Sequence, residues 1–152
     1  EGLAATLEGT LLVGLRNPLR HGRALLVPLL NPGELIEGGS ARFGAPVEID
    51  LYQRGIRSIE RVGGSYVIAA GPTADAGSFA LFRWPGHPGE AATLIPGINL
   101  RDLRPEALFA IPGSRSVQVL SDDGGLKVGG VECKRLPAAR QTFRSLTITL
   151  PE

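Results

Sequence analysis

An all-β fold follows from three features of this sequence. Its apolar runs are short and bounded by Gly, Pro, Asn or Asp. Turn formers are abundant, with 21 glycines and 12 prolines in 152 residues. One strand–turn–strand pattern occurs three times along the chain, the mark of a repeat architecture.

The first copy runs from Glu1-Gly2-Leu3-Ala4-Ala5 through a Glu8-Gly9 turn into Leu11 to Leu15, followed by strand candidates at Ala24 to Leu30 and Val47 to Leu51. The second opens on Arg57-Ser58-Ile59-Glu60-Arg61, turns at Gly63-Gly64 and enters Tyr66 to Ala70; Phe79 to Phe82 and Ala92 to Leu94 follow. The third opens on Glu106-Ala107-Leu108-Phe109-Ala110, turns at Pro112-Gly113 and enters Val117 to Leu120; a weak strand at Val131 to Cys133 and a clear one at Leu146 to Leu150 complete it. Pro137 to Phe143 carries helix formers but follows a proline and spans only about two turns, so it reads as a loop or a short helical turn.

Position 1 then corresponds to 57 and 106, intervals of 56 and 49 residues. Four strands per repeat of about 50 residues is the arithmetic of a β-propeller blade. The expected fold is a propeller segment of three four-stranded blades, at about 1–53, 54–103 and 104–152. A β-sandwich is the alternative; it accounts for many short strands but not for the recurring small residue after each lead residue. Leu3, Ile59 and Leu108 are expected to repeat one another's packing environment. Three blades cannot close a ring, and a chain without methionine reads as cut at Glu1. Further blades are therefore expected from upstream sequence or from a second chain.

The segments Glu1 to Ala4, Gly9 to Pro18 and Ala24 to Pro32 resemble a bacterial family known as domain of unknown function 3616, as do Gly55 to Glu60, Ala70 to Pro72, Pro105 to Leu108 and Leu120 to Gly124. The likeness covers nearly the whole chain, matches the C-terminal part of that family and implies no established activity. More distantly, the Glu-Gly-Leu lead resembles esterase-like and phytase-like propellers. That similarity implies a calcium-assisted phosphoester or carboxylic ester hydrolase and carries over no residues.

In a propeller the innermost strands line a central channel, so the lead residues Glu1, Arg57 and Glu106 are expected at one mouth. Arg16 and Asn17, Gly71 and Pro72, and Ser121 with Asp122 and Asp123 should reach it from the ends of the second strands. Such a cluster is either a ligand site or a set of salt bridges holding blades in register. Arg57 suits a small anionic molecule, because a guanidinium grips an oxyanion through paired hydrogen bonds. Calcium needs six to eight oxygens, and Glu1, Glu106, Asp122 and Asp123 offer several, with Asp122 and Asp123 as the candidate metal ligands. Asp122-Asp123-Gly124-Gly125 is equally an ordinary turn sequence.

Glu60 is expected to pair with an arginine such as Arg61 or Arg83. His21 and His87 read as solvated loop residues, Cys133 as a structural thiol and Trp84 as a packing residue at a blade edge. A single cysteine excludes an internal disulfide and leaves the redox compartment undetermined. The formal charge of +1 with scattered basic residues disfavours nucleic acid as a partner, and no apolar run is long enough for a spanning helix. There is no Gly-x-Ser-x-Gly elbow, phosphate loop, dinucleotide fingerprint or paired-cysteine motif. The expected function is a ligand-binding or scaffolding module with a polar site at the channel mouth. The alternative is the metal-assisted hydrolase, with the carboxylates holding the ion and Arg57 holding the anionic group; no catalytic residue is assigned.

Overall fold

The computed structural model describes residues 1–74 and 76–151, and it is all-β. The first sheet is an antiparallel meander of β1 (Gly2–Ala5), β2 (Leu11–Gly14), β3 (Ala24–Leu29) and β4 (Val47–Ile49), paired in that order. A five-residue helix, α1 (Pro32–Ile36), lies in the β3–β4 connection. The second sheet repeats the meander with β5 (Gly55–Val62), β6 (Ser65–Gly71), β7 (Ala80–Trp84) and β8 (Thr93–Leu94). After β9 (Pro105–Ala110) and β10 (Ser116–Ser121) the pattern changes: β11 (Lys127–Val128) and β12 (Val131–Glu132) form a separate hairpin, and β13 (Ser145–Thr149) pairs with β10. Among the described residues no helix is long and apolar enough to cross a membrane.

The third sheet therefore has three strands, not the four expected, and Val131 to Cys133 contributes none of them. The reason is burial. Val128 and Val131 are exposed, so this hairpin has no apolar face to hold it on the sheet, and only Cys133 beyond it turns inward. Within Pro137 to Phe143 the backbone forms one 3-10 turn at Ala138–Arg140. The sequence reading passed over α1 because none of its residues is buried and no periodic face marks it. Asn31 fixes the start of α1 from a buried position: its side chain donates to the Glu34 carboxylate and to the Ser40 carbonyl, and accepts from the Arg42 amide at 2.7 Å.

The sheets pack in chain order, with β1 against β5 and β5 against β9. One apolar core lies between the first two sheets, where Leu12, Leu26 and Ile49 meet Ile59, Ile68 and Phe82. A second core joins Val67, Ala69 and Leu81 to Leu108, Val117 and Val119. Strand β6 serves both. Tyr66, Ile68 and Ala70 face one core and Val67 and Ala69 the other, which is why Tyr66 to Ala70 is apolar without a break. Its two-residue turn from β5 needs the positive φ of Gly63, +61°.

Register aligns the sheets closely. Leu3 lies opposite Val13 and Val13 opposite Val27; Ile59, Ile68 and Phe82 form the matching row, as do Leu108, Val119 and Leu146. Environment does not follow register at the first position: Leu3 is 60% exposed, against 1% for Ile59 and 5% for Leu108. Ile59 and Leu108 each face the preceding sheet, and among the described residues no sheet covers that side of Leu3.

Candidate functional site

Two β-bulges build the polar cluster. Ile56 pairs with Ala70 and Ser58 with Ala69, so Arg57 is an extra residue in β5. Pro105 pairs with Ser121 and Ala107 with Leu120, so Glu106 is the extra residue of β9. A bulge re-aims the side chain it carries. Here both bulges sit at the start of a strand, and the two side chains meet.

Arg57 is 4% exposed, and its guanidinium is occupied by the protein itself. Nη1 donates to the Glu106 carboxylate and lies 3.6 Å from Glu1 Oε2; Nη2 donates to the Pro72 carbonyl at 2.7 Å. The guanidinium carbon stands 5.5 Å from the centre of the Phe79 ring, a cation–π contact, while Nε is buried without a hydrogen-bond partner among the described residues. Arg16 Nη1 approaches Glu1 Oε1 at 3.6 Å from the other side. Charges thus alternate from Arg16 to Glu1, Arg57 and Glu106 across all three sheets. Arg16 and Asn17 also donate to the carbonyls of Ala74 and Thr73, holding the segment that leaves β6. Gly71 is part of the same fit, since a side chain there would collide with Phe79 and press on Arg57. Burial pushes the Glu106 carboxyl above the usual carboxylate range, opposed by the pull of Arg57.

The aspartates belong to a second cluster. Asp123 is buried and grips Arg144 through both oxygens: Oδ2 accepts from the Arg144 amide and Nε at 2.8 Å, and Oδ1 accepts from Nη2 at 2.9 Å. The Ser121 hydroxyl donates to Oδ1 at 2.8 Å and accepts from the Arg104 amide at 2.9 Å. The hydrogen bonds from Arg144, ahead of that from Ser121, hold the Asp123 carboxyl down at about 2. Asp122 does different work: Oδ1 accepts from the Gly124 amide at 2.9 Å, closing the turn that its sequence suggests.

Glu1, Arg16, Arg57 and Glu106 therefore come together with Asn17 beside them, whereas Ser121 and Asp123 form a cluster with Arg144, and Asp122 serves a turn. Among the described residues, the oxyanions that the Arg57 guanidinium meets are those of Glu106 and Glu1. The carboxylates expected to hold calcium have partners within the protein. Glu106 and Asp123 are committed to guanidinium groups, Asp122 to a turn amide, and no three His, Cys, Asp or Glu among the described residues are grouped to hold a metal. Among the described residues Glu60 makes no ion pair; it faces Val67 across the ladder, and Arg83 donates instead to the Pro151 carbonyl. His21 and His87 are exposed in loops, buried Cys133 donates to the Thr142 carbonyl at 3.2 Å, and Trp84 lies in the first core.

The sequence reading missed Arg144, Phe79 and the Pro72 carbonyl as parts of these clusters. Arg144 had one usable signal, its place directly before β13, because the pairing of Leu120 with Ser145 brings Arg144 beside Ser121. No family model matches the chain, and no curated protein or solved structure matches it at a significant level.

Proposed function

We propose that the chain is a three-bladed portion of a β-propeller acting as a non-catalytic binding or scaffolding module, in which the Arg16–Glu1–Arg57–Glu106 cluster locks successive blades together. The carrying observation is that buried Arg57 spends its guanidinium on a carboxylate from the sheet on each side and on the Pro72 carbonyl. The propeller reading draws support from two four-stranded meanders and a three-stranded antiparallel sheet that follow in chain order with their first strands side by side, where a sandwich would pack two sheets. The row Leu3, Val13 and Val27 is then the seat of a further blade, from upstream sequence or another chain. The resemblance to the domain of unknown function 3616 family agrees with this reading and assigns no reaction.

A hydrolase using calcium would need carboxylates free to bind it, and those at hand are already paired. Thermal unfolding of the intact protein with calcium, with magnesium and with EDTA tests the proposal. The melting temperature is expected to stay constant across the three conditions. A rise of several degrees with calcium that disappears in Asp123→Asn would overturn the non-catalytic reading in favour of the metal site.

A further inference from the structure

A cleft of about 830 Å³, whose lining includes neither Glu1 nor Glu106, lies between the segment Ala76 to Phe79 and the connection Gly97 to Arg104, with Leu126 at its edge. Its size is that of a small-molecule site. Phe79, Ile98, Leu100 and Leu103 give it apolar walls continuous with the second core. Arg101 and Arg104 also line it, and neither guanidinium has a hydrogen bond or an acidic partner among the described residues. Among the described lining residues, Asp102 is the single acidic side chain against the two arginines.

Both walls are braced. Arg54 donates to the Ser78 hydroxyl at 2.7 Å and to the Ser78 carbonyl at 3.1 Å. On the other side, the Asn99 side chain accepts from the Arg101 amide, Arg144 donates to the Asp102 carbonyl, and the Ser121 hydroxyl accepts from the Arg104 amide. A loop pinned at Arg101, Asp102 and Arg104 holds its backbone in place before any ligand arrives, which lowers the ordering cost of binding. Unpaired guanidinium groups beside an apolar wall are suited to an oxyanion attached to a flat hydrocarbon body.

We propose that this cleft binds a small organic anion, a carboxylate or phosphate monoester with an aromatic or similarly flat apolar body, held by Arg101 and Arg104. The proposal rests on the binding-module reading and gives it a ligand class.

Amide chemical shifts of the intact protein, titrated with 2-naphthoate, 2-naphthyl phosphate, neutral 2-naphthylmethanol and inorganic phosphate, provide the test. At least one naphthyl anion is expected to shift the amides of Gly77, Gly97 and Leu126 with at least tenfold higher affinity than the alcohol or inorganic phosphate. Whether naphthoate or naphthyl phosphate binds tighter identifies the head group. The double variant Arg101→Ala, Arg104→Ala should lose at least tenfold in affinity with an unchanged melting temperature. Leu126→Glu, at an exposed position, should abolish binding of both anions. The proposal is overturned if neither anion shifts these amides at millimolar concentration, if the alcohol binds as well, or if the arginine variant binds like the wild type. Such a failure would leave the blade-locking role of Arg57 standing, because that role is read from ion conditions and stability instead.

Discussion

Arg57 and Glu106 hold the same place in successive sheets, each as the extra residue of a bulge at the start of a first strand, and they are bonded to each other. Opposite charges at equivalent positions turn a repeat into a ladder: the lead residue of one sheet is the partner of the next. The bulge makes the contact by breaking strict alternation, which lets Ile56 and Ile59 both serve the first core while Arg57 turns toward the carboxylates.

Removing Arg57 should destabilise the whole unit. Arg57→Ala is expected to cost about 3 kcal/mol, at the low end for breaking a buried pair because Glu1 and Glu106 retain some access to water. Glu106→Gln should cost less, since its amide oxygen still accepts from Nη1. Urea unfolding gives both values; an Arg57→Ala cost below about 0.5 kcal/mol would place this residue among ordinary surface positions.

Acid should release the Asp123–Arg144 pair. The Asp123 carboxyl titrates at about 2 in the folded chain against an ordinary 3.8, so its contribution is complete above 3.8 and is lost as pH falls toward 2. The depressed value corresponds to a contribution on the order of 2 kcal/mol at neutral pH. Asp123→Asn should remove it and flatten the acid limb between those two values. Stability measured by urea unfolding from pH 6 to pH 2 checks this, and an equal slope in both proteins would contradict it.

The fold was legible where one residue type forces one conformation or one environment. Gly63-Gly64 between two apolar runs could only be a tight hairpin turn, and the unbroken run from Tyr66 to Ala70 marked a strand buried on both faces. The meeting of Glu1, Arg57 and Glu106 was legible from the repeat, but their mutual neutralisation was not, because it depends on bulges that exist only once strands are paired. The partnership of Asp123 with Arg144 needed the register of β13 on β10. Val131 to Cys133 misled because β-branched character marks a strand without saying which sheet receives it.

A close approach of backbones predicts a different failure. At Gly55 a β-carbon would lie 2.1 Å from the Arg16 carbonyl oxygen, and the Ile56 amide next to it donates to the Leu15 carbonyl at 3.0 Å, so neither strand can withdraw cheaply. Gly55→Ala should cost about 2–3 kcal/mol through this overlap. Gly33→Ala in α1 has open space and should be neutral or stabilising by up to about 1 kcal/mol. Thermal unfolding of the two variants separates steric crowding from a general sensitivity to glycine replacement.

The aligned leucines give the sharpest test of how the sheets stack. Leu108 and Leu3 hold matching places in their rows, yet Leu108 is packed against the second sheet and Leu3 is exposed. Leu108→Ala removes buried methyl groups and leaves a cavity, at a cost of about 2–5 kcal/mol. Leu3→Ala in the 152-residue chain removes atoms that already face water and should stay within about 0.5 kcal/mol. The comparison becomes decisive when a further sheet is present. If an additional blade seats on the row Leu3, Val13 and Val27, Leu3 acquires the surroundings of Ile59 and Leu108, and Leu3→Ala should then cost as much as Leu108→Ala does. Urea unfolding of the four proteins, each variant in the short chain and in the assembled form, reads this directly; a Leu3→Ala cost that remains near zero in the assembly would show that the added blade packs elsewhere.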